Sequence, residues 1–109
     1  MDFREKYLPE LVNGLVGIYS SSLQRVYLYG SVARGTATEE SDIDVAVILS
    51  AETEEQHEKL LDLVTDLDLK YDAVFSVITI EASRFYTREN TLPFYRNIKT
   101  EGVELWTAA

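Results

Sequence analysis

Asp42 and Asp44 stand two residues apart in the run DIDVAVIL, residues 42–49. On an extended strand such a pair projects from one face, while Ile43, Val45 and Val47 turn to the other. Like charges on one face repel. Taken alone, the pair therefore suits either the wet face of an edge strand or a set of hard oxygen ligands for a divalent cation such as magnesium. Upstream, RVYLY (25–29) runs into Gly30-Ser31 and then Val32-Ala33-Arg34-Gly35. Gly30 permits a sharp turn and close approach of a phosphate, and Ser31 offers a hydroxyl and an amide. Arg34 adds a fixed charge that can fork onto phosphate oxygens. Each of these is a common turn or surface residue by itself; with the carboxylates they form a pattern of phosphate and metal ligands.

The elements that must position these groups follow from periodicity. Leu8, Leu11, Val12, Leu15 and Val16 recur at helical spacing, predicting an amphipathic helix over 8–20 with Pro9 in its first turn. Residues 25–29 and 42–49 read as strands, rich in β-branched and aromatic residues. Thr53-Glu54-Glu55-Gln56 has capping-box spacing and opens a long helix to about residue 70. YDAVFSVITI (71–80) reads as a third, well-covered strand. Residues 92–101 look helical, with Pro93 in the first turn and Gly102 at the stop, before 103–106 turns extended. The order predicts an α/β (α+β) fold: one domain over 1–109, a small mixed sheet with helices packed mainly on one face.

The two motifs across their fixed gap, Gly30-Ser31, ten residues, then Asp42-Ile43-Asp44, resemble the signature of the minimal nucleotidyltransferases of the DNA polymerase β superfamily. The run GSVARGTATEESDIDVAVIL is similar to the family throughout, and the likeness covers about residues 24–80. The ending FYRNIK with Glu101-Gly102 is similar to small members made of this domain only. The resemblance implies a polymerase β-like fold and two magnesium ions held by Asp42 and Asp44. It also implies a third catalytic carboxylate on the strand after the long helix, completing the metal ion next to the attacking oxygen, which falls on Asp72 in preference to Asp66 and Asp68. ATP is the implied substrate, with its triphosphate against Gly30, Ser31 and Arg34. The implied reaction moves AMP to a hydroxyl. Likeness to stand-alone members points to an antitoxin whose acceptor is a tyrosine on a HEPN-type toxin. Two alternatives stay beside this: a binding-only antitoxin whose catalysis has lapsed, and an enzyme acting on a small molecule such as an aminoglycoside. The few residues after Ile80 leave little to enclose a small acceptor.

Composition narrows the classes further. Nineteen acids against ten Lys and Arg give a net charge of -9, which argues against a polynucleotide partner bound by phosphate neutralisation. Cysteine is absent, so neither a thiol nucleophile nor a Cys-based zinc site is available. No apolar run approaches the ~20 residues that span a bilayer, and the acidic start is unlike a signal peptide; a cytoplasmic protein is the expectation. Eight acids between Glu52 and Asp72 against Lys59 and Lys70 make an acidic surface suited to a basic partner. His57 lies on that helix without a second His or Cys and reads as a solvated residue.

Overall fold

The computed structural model describes residues 3–109. A 3-10 turn, Phe3–Tyr7, enters helix α1 (Leu8–Tyr19), which buries Leu8, Leu11, Leu15 and Tyr19 as one stripe. Strand β1 (Leu23–Tyr29) passes directly into the five-residue helix α2 (Gly30–Arg34), and strand β2 (Ile43–Leu49) follows. Helix α3 (Glu54–Tyr71) starts at the predicted capping box: the Gln56 amide donates to Thr53 Oγ1 at 3.1 Å, and the Thr53 amide to Gln56 Oε1 at 2.9 Å. Strand β3 (Phe75–Glu81), helices α4 (Ala82–Arg88) and α5 (Pro93–Glu101), and strand β4 (Val103–Thr107) complete the chain.

The sheet order is β3-β2-β1-β4. β2 and β3 are parallel and the other pairs antiparallel, so the sheet is mixed as expected. A parallel pair needs a long crossover, and α3 is that crossover. Both faces of β2 are packed. Ile43, Val45, Val47 and Leu49 face the long helices α1 and α3, whereas Ala46 and Ile48 join Tyr27, Ile80, Phe85 and Ile98 beneath the short helices α4 and α5. Coverage on both sides explains why β2 reads as a nearly continuous apolar run. Asp44 shares the face of Ala46 and Ile48 but lies at the strand's start, beyond that cover.

The boundaries that matter for the site differ from the sequence expectation. Strand β2 begins at Ile43, so Asp42 precedes it, and the Ile43 amide donates to the Val74 carbonyl at 2.8 Å. The third strand begins at Phe75 rather than at residue 71, because α3 continues through Tyr71. That residue is held by tertiary contacts with α1 and the turn before it: its hydroxyl donates to Glu10 Oε1 at 2.6 Å and its ring stacks on Tyr7 at 4.1 Å. Asp72 is consequently a helix cap in the left-handed region (φ 48°), not a strand residue. The Asp68 carboxylate then accepts the Phe75 amide at 2.8 Å and sets the strand's start. Helix α4 has no counterpart in the sequence reading. Among the described residues no helix is long and apolar enough to cross a membrane.

Candidate active site

Asp44 pairs across the sheet with Tyr29 on β1 and with Ser76 on β3, placing the three in a row on one face. Because Tyr29 is its partner, the next residue, Gly30, stands against the Asp44 carboxylate. Gly30 has φ +74°, and a Cβ there would fall on Asp44 Oδ2. Glycine is thus required twice, by the left-handed backbone and by the carboxylate.

Asp44 is half-buried, and this burial first, then the negative charge of Asp42, raises its pKa; the Arg34 guanidinium pulls it partly back. The influence of Asp42 shows that the two carboxylates share one electrostatic neighbourhood. Among the described residues neither carboxylate has a hydrogen-bond or ion-pair partner, nor does the Ser31 hydroxyl. A half-buried carboxylate beside a like charge, offset only in part by Arg34, fits a hard divalent cation: both oxygens and charge are of the right kind. Asp42 and Asp44 would hold such an ion.

Asp72 does not join them. It is exposed at the end of α3, its amide committed to the Asp68 carbonyl, and among the described residues no three His, Cys, Asp or Glu side chains gather into a metal-binding group. The β3 residue abreast of Asp44 is Ser76. Asp68, weighed beside Asp72 in the sequence, has the structural task of capping β3. His57 lies 3.3 Å from Glu52 Oε2, past the far end of β2 from Asp44.

Arg34 leans across a cleft to α5, its Nη1 3.9 Å from Glu101 Oε2, with both side chains half-exposed. A pair this open is worth little and yields readily to a phosphate. The cleft holds about 220 Å³ between Tyr29, Gly30 and Arg34 on one side and Phe94, Asn97 and Glu101 on the other. A larger apolar groove of about 830 Å³ lies between the start of α1 and β4, on the opposite face of the sheet, lined by Leu28 rather than Tyr29.

One positioning residue gave no signal in the sequence. Arg4 is 7% exposed, and its guanidinium donates to the carbonyls of Ser41 at 2.5 Å and Thr38 at 2.9 Å. Within the same loop the Thr38 amide donates to Ser41 Oγ at 2.9 Å, and the Ser41 amide to the Thr38 carbonyl at 3.1 Å. The backbone leading into Asp42 is therefore pinned from the first turn of the chain. An isolated arginine in a charged N-terminal run is indistinguishable by sequence from a surface residue.

Residues 9–102 match the model of the family described as nucleotidyltransferase domain. The chain is 35% identical over 102 residues to a Methanocaldococcus jannaschii protein named putative protein adenylyltransferase MJ0604, covering 94% of this chain and 97% of the relative. Among the solved structures that share the fold, two bear on the site. One is a toxin-antitoxin with AMP-PNP (24% identity, TM-score 0.58, covering 90% of this chain and 72% of the other). The second is a tri-AMPylated Shewanella oneidensis HEPN toxin in complex with its MNT antitoxin (19% identity, TM-score 0.60, covering 97% and 74%).

Proposed function

The chain belongs to the nucleotidyltransferase domain family, and from that premise we propose that it transfers AMP from ATP to a tyrosine hydroxyl of a HEPN-type toxin, acting as that toxin's antitoxin. The observation that carries the reading is the unpartnered pair Asp42 and Asp44 standing against the Gly30-Ser31 turn. The protein adenylyltransferase name of the relative, and the AMP-PNP and AMPylated-toxin complexes among the structures of like fold, support the choice of nucleotide and partner.

In this reading the acceptor oxygen attacks the α-phosphorus, the bond to the bridging oxygen breaks, and pyrophosphate leaves. The hydroxyl proton passes to solvent. Ser31 donates its hydroxyl to the phosphates and Arg34 exchanges Glu101 for a phosphate oxygen, while Gly30 keeps the backbone low enough for both. Asp42 and Asp44 would hold a magnesium ion, a hard divalent cation suited to carboxylate oxygens, which would supply charge neutralisation to the phosphates. With Asp72 away from the site, the chain itself would offer that ion two carboxylates rather than three among the described residues. The acceptor hydroxyl is carried by the partner, whose docking orients it toward the α-phosphorus.

The experiment mixes the full chain with the protein encoded beside it, ATP and magnesium, and follows the partner by intact mass and peptide mapping. AMP increments on a tyrosine, absent with Asp44→Asn, are expected. A partner that is neutralised yet unmodified would replace this reading with binding alone.

A further inference from the structure

The fold carries a cleft that runs from the phosphate turn, with which it shares Gly30 and Arg34, to a face of α5 that neither the carboxylate pair nor the phosphates use. Phe94, Asn97, Ile98 and Glu101 lie at i, i+3, i+4 and i+7 and so form one face of α5. Ile98 anchors that face, fully buried in the cluster beneath α4 and α5. Its neighbours are left to line the cleft against Tyr29, Gly30 and Arg34. Phe94 is 48% exposed, and its ring meets Tyr29 edge-to-face with centroids 5.7 Å apart. The Asn97 carboxamide is exposed and makes no hydrogen bond among the described residues.

We propose that this cleft is the nucleobase site, taking an adenine ring against Phe94 and Tyr29 and reading its edge with Asn97. The inference rests on the nucleotidyltransfer reading and adds to it the part of the substrate that sets base choice. At about 220 Å³ the space is smaller than the ~300 Å³ at which pockets begin to take whole ligands, so it fits one ring rather than an entire nucleotide. Gly30 is common to the cleft and to the turn beside Asp44. A nucleotide with its phosphates over Ser31 and the carboxylates therefore has its base within reach of α5. Aromatic walls give stacking that any base can use. A carboxamide supplies one donor and one acceptor side by side, the complement of the adenine N6 and N7 pair, whereas guanine presents two acceptors there. Position 97 thus separates adenine from guanine, and position 94 does not.

Equilibrium binding to the full chain without partner tests this, using ATP, GTP and inorganic tripolyphosphate with magnesium. Asn97 and Phe94 are exposed, so the variants Asn97→Leu and Phe94→Ala retain the fold, which circular dichroism checks. Asn97→Leu is expected to weaken ATP about five- to tenfold and to erase the preference over GTP. Phe94→Ala weakens ATP and GTP alike. Tripolyphosphate binding is unchanged in both. If ATP binds the parent and neither variant alters it, the base lies elsewhere and only this proposal falls. Equal losses for ATP and tripolyphosphate would assign α5 to the phosphates and overturn it as well. Failure of the parent to bind either ligand would overturn the nucleotidyltransfer reading with it.

Discussion

The Arg4 guanidinium reaches the Ser41 carbonyl at 2.5 Å across 37 residues of sequence, one residue ahead of Asp42. A charged donor shared by two carbonyls holds the loop, and its loss takes that partner from the Ser41 carbonyl while Thr38 keeps the Ser41 amide. Arg4→Ala is expected to cost about 1–3 kcal/mol in chemical denaturation. It should also lower the affinity for manganous ion, read by paramagnetic resonance, because Asp42 loses its fixed approach. Arg4→Lys recovers part of each, since a point charge cannot fork to both carbonyls.

Asp44→Asn is expected to reduce AMP transfer by two orders of magnitude or more, as about 3 kcal/mol of charge stabilisation is lost. Stability moves the other way. The folded chain raises the Asp44 pKa, so this carboxyl favours the fold below its unfolded value, and that contribution is lost as pH rises through the folded value. In chelator, the variant should match the parent near pH ~3, where both are uncharged, and melt higher near pH ~7. A lower melting temperature at neutral pH would give Asp44 a structural role instead.

Gly30 and Gly35 share a positive φ, +74° and +75°, but nothing stands within 4 Å of a Cβ at Gly35. Gly35→Ala should therefore show only the backbone cost of about 1–2 kcal/mol. Gly30→Ala adds a collision with Asp44 Oδ2 and should lose both more stability and metal affinity. Equal behaviour of the two variants in thermal melts and ion titration would remove the close approach of Gly30 to Asp44.

Ser76→Asp places a third carboxylate abreast of Asp44. Manganous ion should bind about tenfold more tightly, and the ion-free protein should melt lower from the added repulsion. Asp72→Asn, by contrast, suits the left-handed cap and should keep both the fold and most of the transfer rate. A loss as deep as that of Asp44→Asn would return Asp72 to the metal site.

What the sequence determined by itself is what local chemistry determines. The capping box Thr53–Gln56, the stripe of α1 and the turn Gly30-Ser31 each depend on neighbours within a few residues; the box and the turn form where their residues predict, and the stripe keeps Leu8, Leu11 and Leu15 but closes on Tyr19 and leaves Val16 exposed. The gap from Ser31 to Asp42 was legible too, because it brings two adjacent strands together and antiparallel pairing leaves little freedom over so short a connection. Tertiary structure decided the rest. Whether Tyr71 belongs to a helix or a strand was settled by Glu10 and Tyr7, more than 60 residues away, and with it the place of Asp72. Which β3 residue stands beside Asp44 depended on the register of a parallel pair, where a shift of one residue turns every side chain over. Arg4 and the α5 cleft join segments whose separation in sequence leaves no periodicity to read, since packing, not spacing, brings them to the site.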